Sequence, residues 1–178
     1  MHASAVAPLR LVFIMWLFFT VEFYLEIDLG FLGIYPLSIK GLLGIIAAPM
    51  VHGNFNHLLS NTIPLLALGG SLYFFYSHIA SRVFLHAYFF TNILVWFFGR
   101  PFYHIGASGV VYSLASFLIF YGLFRRNFKT VLISLIVVSI YGGLVFGILP
   151  SNHGVSWESH MMGALVGLVS AYLFRHEH

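Results

Sequence analysis

The chain has 178 residues, of which 60% are hydrophobic, 7% are charged and none is cysteine. A soluble domain carries about 25% charged residues, so this excess of apolar side chains must face lipid. The net charge of +3 does not indicate nucleic-acid binding, because the few Lys and Arg of such a chain mostly orient helices, and the lack of cysteine excludes disulfides, thiolate nucleophiles and Cys-ligated metals.

Six hydrophobic runs are long enough to cross a bilayer, for which about 20 apolar residues suffice. They predict an all-α integral membrane protein, folded as a single membrane domain over residues 1–178 without a repeat or a linker. The first run lacks a small-residue cleavage site and ends among acidic residues, which favours a retained span over a signal peptide. In chain order, the predicted spans are 11–27, 55–75, 83–98, 108–124, 130–149 and 157–174.

The positions of Lys and Arg orient these spans. With the N-terminus in the cytoplasm, only Lys40 and Arg100 lie on the outer side, which is the bias that the positive-inside rule describes. Both termini are therefore predicted to be cytoplasmic in a multi-pass protein of the plasma or inner membrane. The cytoplasmic cations are Arg10, Arg82, Arg125, Arg126, Lys129 and Arg175, and the outer loops are 28–54, 99–107 and 150–156.

Polar side chains lie at the predicted outer ends of three spans, where each is costly in lipid and needs a partner. The second span opens with His57 and Asn61, which are four residues apart and hence share a helical face. The fourth opens with Ser108, and Tyr112 lies one turn further along the same side. Because spans two, four and six all begin outside, these groups can meet in one plane below the outer surface.

The sixth span carries His160, Gly163 and Gly167 on one face. The two glycines form a small-xxx-small surface that allows a neighbouring helix to approach closely. If that neighbour is the fourth span, His160 comes within reach of Ser108, and the glycines that flank this serine permit a tight turn. A serine, two histidines and an asparagine are the inventory of a nucleophile, its base and oxyanion donors.

Together, these motifs resemble those of the rhomboid family of intramembrane serine proteases. The family's pattern is H-x4-H-x3-N on the second helix, G-x-S-G on the fourth and H-x2-G-x3-G on the sixth. This chain reads HGNFNHLLSN, GASGVVY and SHMMGALVG at the corresponding places, and the resemblance extends to the minimal six-helix bacterial architecture. The pattern falls on His52, His57, Asn61, Gly106, Ser108, Gly109, His160, Gly163 and Gly167.

The resemblance implies a serine endopeptidase that cuts transmembrane segments of membrane proteins near their outer end through an acyl-enzyme. Ser108 would be the nucleophile and His160 the general base of a dyad without a carboxylate. Asn61, His57 and the backbone N–H of Ser108 would form the oxyanion hole. Tyr112 would pack under the ring of His160. The partners would be transmembrane substrates and the lipid bilayer, with no cofactor, metal or nucleic acid, and the oligomeric state stays open.

Three other polar residues near these motifs have structural interpretations. His52 is expected to support the outer loop through hydrogen bonds. His104, beside Arg100 in an outer loop, is expected to be solvated rather than catalytic. Glu158 lies two residues before His160 and therefore points to a different face of an ideal helix, so no third catalytic residue is evident.

The loops and the fifth span add two expectations. Outer loop 28–54 is apolar and rich in glycine, so we expect it to lie in the interface or fold back partway. It reads GLLGIIAAP where many bacterial rhomboids carry a Trp-Arg pair. Gly142, Gly143 and Gly147 loosen the fifth span, which the resemblance implies moves aside for a substrate helix.

Three alternatives can be compared with these features. A rhomboid-like protein that binds transmembrane helices without cleaving them would typically lack the serine or the histidine, and both are present. A small transporter would usually show a repeat or a carboxylate coupling site, and neither is seen. Histidines could hold haem or a metal, but a metalloprotease would need H-E-x-x-H and an aspartyl protease two buried Asp, whereas the chain has only Asp28.

Overall fold

The computed structural model describes residues 6–150 and 156–177. Within these ranges the chain is helical, and the one β-bridge pairs Ile34 with His104. Most of the predicted loop 150–156 lies outside the described residues. The helices are α1 (Val6–Leu25), α2 (Gly44–Ala47), α3 (Phe55–Phe75), α4 (Ser77–Phe98), α5 (Ser108–Arg125), α6 (Phe128–Tyr141) and α7 (Trp157–Leu173). Short 3-10 helices cover Gly30–Leu32, Lys40–Leu42, Ala48–Met50 and Gly142–Ile148.

Among the described residues, five helical stretches are long and apolar enough to cross a membrane, namely α1, α3, α4, α5 and Phe128–Ile148. The last is formed by α6 and the 3-10 helix that continues it. Helix α7 has 17 residues and is slightly shorter than these. Since each helix satisfies its own backbone groups, the arrangement suits a bilayer, and the chain is a multi-pass membrane protein.

Two departures from the predicted bounds have identifiable reasons. Helix α4 begins at Ser77 instead of near residue 83, because its first turns contain polar residues that lower hydropathy without disturbing helical hydrogen bonds. The predicted fifth span changes from α to 3-10 geometry after Tyr141, where Gly142 and Gly143 follow. Glycine disfavours a continued α-helix by about 1 kcal/mol relative to alanine.

Helix α5 is the central helix of the bundle. In its apolar 18-residue stretch, 67% of the residues are buried inside the protein, against 17% in the corresponding stretches of α1 and Phe128–Ile148. The two peripheral stretches instead expose large apolar side chains, among them Phe13, Phe128 and Leu135. Exposed apolar surface of this extent is expected where lipid is the solvent.

Helices α5 and α7 touch almost backbone to backbone. A Cβ at Gly163 would overlap the carbonyl oxygen of Gly109, and one at Gly167 would overlap the carbonyl oxygen of Ser113. The hydroxyl of Ser116 donates to the carbonyl oxygen of Ala164 across the same contact, at 2.6 Å. The glycine face of α7 therefore sets the distance at which the first turns of the two helices meet.

We expect Gly167→Ala to lower the free energy of unfolding by about 1–3 kcal/mol, because the added methyl has no room at this contact. Gly70→Ala on α3 is the matched control, since its Cβ meets nothing within 4 Å. There the change should be neutral or stabilise by up to about 1 kcal/mol. Thermal unfolding in one detergent compares the variants, and equal melting temperatures would contradict the packing account.

The segment between α1 and α3 lies along α4. Side chains of α4 donate hydrogen bonds to its backbone: Trp96 Nε1 to the carbonyl of Ser38 and Asn92 Nδ2 to that of Ile45, both at 3.0 Å. The segment is therefore a packed wall of the bundle, in which short helical turns replace a regular span.

Backbone bonds also join this segment to the loop before α5. Ile34 and His104 exchange two N–H···O bonds of 2.9 Å, and the N–H of Gly106 donates to the carbonyl of Ala48 at 2.8 Å. The position at which α5 begins is thus fixed from outside the helix.

Candidate active site

Ser108 is the first residue of α5. Two residues earlier, Gly106 has a φ of +102°, a left-handed conformation that glycine adopts without steric penalty. A Cβ on Gly106 would also lie 2.6 Å from Nε2 of His57. The turn leaves Ser108 half-buried at the helix N-terminus, where the first backbone N–H groups have no partner within the helix.

His160 reaches Ser108 from the first turn of α7. Its Nε2 lies 3.0 Å from Ser108 Oγ, and the residue is 8% exposed. Its Nδ1 lies 2.9 Å from the carbonyl oxygen of Gly147. A carbonyl only accepts, so Nδ1 carries the proton and the lone pair of Nε2 faces the serine hydroxyl. The His160 ring stacks on that of Tyr112, with centroids 4.1 Å apart and planes 4° apart.

Both ring nitrogens of His160 have other partners, and Glu158 pairs with Arg100. The carboxylate is 2% exposed and accepts from Nε and, at 3.2 Å, from Nη2 of that arginine. The guanidinium lies over the rings of Phe102 and Trp157, at 5.0 and 5.6 Å from their centroids. The pair fastens loop 99–107 to the first turn of α7, from which His160 projects.

The prediction that His104 is solvated is wrong. The residue is 2% exposed, its Nε2 donates to the carbonyl of Arg100 at 3.0 Å, and its Nδ1 accepts from Ser156 Oγ at 2.6 Å. Ser156 in turn caps α7 by accepting from the N–H of Ser159 at 3.3 Å. His104 is thus a structural link between the loop before α5 and the cap of α7. Because the loop sequence contains polar residues, it gave no indication that His104 is buried.

His57 and Asn61 face the same space from α3. Asn54 caps the helix by accepting from the N–H of His57 at 2.9 Å. The amide Nδ2 of Asn61 donates to the carbonyl of His57 at 2.8 Å and carries a second N–H. A cavity of about 600 Å³ is bordered by both residues together with Ser108 and His160. The cavity brings together a hydroxyl, an acceptor nitrogen and several N–H donors within an apolar bundle.

His52 lies behind this cavity and is 1% exposed. Its Nδ1 donates to the carbonyl of Met50 and its Nε2 accepts from the N–H of Ala107, both at 3.4 Å. Its ring meets that of His57 edge to face, with centroids 4.9 Å apart. His52 therefore links the segment before α3 to the residue that precedes Ser108.

Burial, and secondarily the neighbouring His57, lower the pKa of His52 from 6.5 to about 3. The unfolded chain binds a proton at this position below pH 6.5, while the folded protein resists it down to about pH 3. Stability should therefore fall on acidification through this window, by up to about 1.4 kcal/mol for each pH unit.

Denaturation at a series of pH values tests this expectation on the wild type and on His52→Gln. The variant should lose stability less steeply as the pH falls. Part of the pH dependence should remain, because burial also lowers the pKa of other groups such as His104. Identical slopes in the two proteins would contradict the assignment.

Sequence reasoning missed three contributions to this site. Arg100 and Glu158 could have been paired, since opposite charges are rare on the predicted outer side. The role of His104 as a link has no signal in the sequence. Gly147 contributes through its carbonyl, which no side-chain pattern reveals.

The sequence was also compared with known proteins, and it matches a family model and several similar proteins. The sequence model of the family described as "Rhomboid domain" matches residues 40–177. Uncharacterized proteins of Mycobacterium bovis and Mycobacterium tuberculosis are each 38% identical over 158 residues, which is 79% of this chain and 62% of theirs. One of Mycobacterium leprae is 36% identical over 159 residues, 79% of this chain and 59% of its own. The chain thus spans less than two thirds of the length of these relatives.

Proposed function

The chain belongs to the rhomboid family, and from this premise we propose that it is an intramembrane serine endopeptidase that cleaves transmembrane segments of membrane proteins. The observation that carries the proposal is the 3.0 Å distance between Oγ of Ser108 and Nε2 of His160. Both residues border a cavity within an apolar bundle, where polar side chains are costly and tend to mark functional sites.

In the proposed reaction, Ser108 Oγ attacks the substrate carbonyl carbon while Nε2 of His160 takes the hydroxyl proton. The carbonyl oxygen becomes an anion and accepts from the N–H of Ser108, the amide of Asn61 and the ring of His57. As the C–N bond breaks, His160 returns the proton to the leaving amine and an acyl-enzyme remains. Water then attacks the ester by the same proton transfers and frees Ser108.

The supporting residues position Ser108 and His160 relative to each other. Tyr112 supports the His160 ring by stacking, and His52 positions Ala107 before the serine. Gly106 permits the turn, and Gly109 permits close contact, since a Cβ there would lie 2.8 Å from Thr91 Cγ2. Gly163 and Gly167 bring α7 against α5, as described above.

We further propose that α7 is a sixth span and that both termini are cytoplasmic, in the plasma or inner membrane. A helix of 17 residues is about 26 Å long, close to the roughly 30 Å of the hydrocarbon layer. The distribution of Lys and Arg supports this orientation. It places the cavity near the outer surface, where water can enter, so substrates are cut near the outer ends of their spans.

The test is proteolysis in liposomes that contain the purified protein and a panel of labelled single-span substrates. Wild type should cleave near the outer end, and the rate should fall when Leu replaces Gly or Pro there, because an unwound helix loses backbone partners in lipid. The matched control is Ser108→Ala. Binding of the panel without cleavage would favour the silent, helix-binding alternative, and equal cleavage by Ser108→Ala would overturn the proposal.

A further inference from the structure

The partner of His160 Nδ1 comes from an unusual place in the fold. Gly147, whose carbonyl oxygen lies 2.9 Å from Nδ1, belongs to the 3-10 helix Gly142–Ile148. That helix contains no buried residue, whereas His160 is 8% exposed. A lightly packed segment therefore provides the contact at the far side of a buried imidazole.

The contact with Gly147 matters because it determines which ring nitrogen of His160 carries the proton. A neutral imidazole carries one N–H, and Nε2 can accept the proton of Ser108 only while that N–H is at Nδ1. In a Ser-His-Asp triad, a carboxylate holds the ring in this tautomer. Here Glu158 is engaged by Arg100, and the Gly147 carbonyl occupies the place of the third group.

Close packing explains why a glycine stands at this position. A Cβ on Gly147 would overlap the hydroxyl of Tyr112 and lie 3.2 Å from Nδ1 of His160. Gly143, on the same 3-10 helix, has nothing within 4 Å of a Cβ. Only a residue without a side chain lets the segment approach the stacked Tyr112 and His160 rings closely enough for the Gly147 carbonyl to accept from Nδ1.

We propose that the backbone carbonyl of Gly147 is the positioning group of His160, and that the proton-accepting tautomer is held only while the Gly142–Ile148 segment is seated against this ring. Displacement of the segment therefore releases the base, and its return restores the base. The effect on proteolysis rests on the proposed function, whereas the effect on the tautomer does not.

An ester in place of one backbone amide tests the carbonyl without adding a side chain. Replacing Ile148 by its α-hydroxy acid makes the Gly147 carbonyl a weaker acceptor. The same replacement at Leu144 weakens the Gly143 carbonyl on the same segment and is the matched control. Histidine-ring ¹⁵N shifts, measured in the Ser108→Ala background and assigned with His160→Ala, report the tautomer of His160.

We expect an Nδ1–H ring in the unmodified protein and in the Leu144 ester, and a mixture with the Nε2–H tautomer in the Ile148 ester. In otherwise wild-type protein, the Ile148 ester should lower kcat by about 3–10-fold, the worth of one neutral hydrogen bond, with KM nearly unchanged. An Nδ1–H ring retained in the Ile148 ester would overturn the inference whatever the proteolysis result. The tautomer change in a protein that cleaves nothing would support the inference and count against the proposed protease.

A side-chain series gives an independent measurement. Gly147→Ala should reduce kcat, and adding Tyr112→Phe, which removes the hydroxyl that the new Cβ meets, should restore part of the loss. Gly143→Ala adds the same methyl to the same segment without reaching the ring, so its kcat should stay above that of Gly147→Ala. Equal kcat for Gly147→Ala and Gly143→Ala would overturn the inference. If Gly147→Ala fails to fold, the ester series still decides the question.

Discussion

Ser108→Ala and His160→Ala are each expected to lower kcat for a transmembrane substrate by roughly 10⁴–10⁶-fold, the loss seen when a nucleophile or its base is removed. Without Oγ no acyl-enzyme can form, and without Nε2 the hydroxyl keeps its proton. Thermal stability should stay near that of the wild type, because a hydrogen bond between membrane helices contributes only about 0.6–2 kcal/mol.

Two matched variants separate chemistry from packing. Ser116 lies on the same helix as Ser108 and bonds to the carbonyl of Ala164, and Nδ1 of His86 lies 3.2 Å from the hydroxyl of Ser170. Ser116→Ala and His86→Ala should lower the melting temperature and keep kcat. A Ser108→Ala protein that still cleaves at the wild-type rate would exclude Ser108 as the nucleophile.

The second large effect concerns the oxyanion donors. Asn61→Ala and His57→Ala are each expected to lower kcat by about 10²–10³-fold with little change in KM, since a donor aimed at the developing anion acts mainly in the transition state. Asn61 also donates to the carbonyl of His57, so its variant should show a small additional loss of stability.

Thr62, the neighbour of Asn61, is the control for this pair. Its hydroxyl accepts from Trp16 Nε1 at 3.1 Å and donates to the carbonyl of Leu58 at 2.9 Å, and it therefore joins α1 to α3. Thr62→Ala should lower the melting temperature and leave kcat unchanged. The same pattern in Asn61→Ala and His57→Ala would assign both residues to helix packing.

The starts of some helices could be predicted because the residues that begin a helix are recognisable in the sequence. Helix α3 begins at Phe55, directly after the cap Asn54, and α5 begins at Ser108, after the turn at Gly106. Polar residues and glycine are favoured at such helix starts, and the apolar run follows at once. The small-residue face of α7 likewise indicated a close contact with a neighbouring helix, because a missing Cβ is visible in the sequence, and the structure shows that this neighbour is α5.

The rest of the site depends on contacts that have no periodic signature. His104 is buried because loop 99–107 folds under the cap of α7, which depends on tertiary packing. Helix α4 begins before its apolar run, since hydropathy follows side chains and helix bounds follow backbone bonds. Gly147 looked like a flexible glycine, and only its position beside His160 reveals the carbonyl as the relevant group.

Labelling by a fluorophosphonate, which reacts with activated serines, tests the central claim most directly. In the purified protein, mass spectrometry should locate the label on Ser108, with none in Ser108→Ala and strongly reduced labelling in His160→Ala. Such a result would show a serine activated by His160, independently of any substrate. An unlabelled wild type, or equal labelling of Ser108 in the wild type and in His160→Ala, would contradict the proposed dyad.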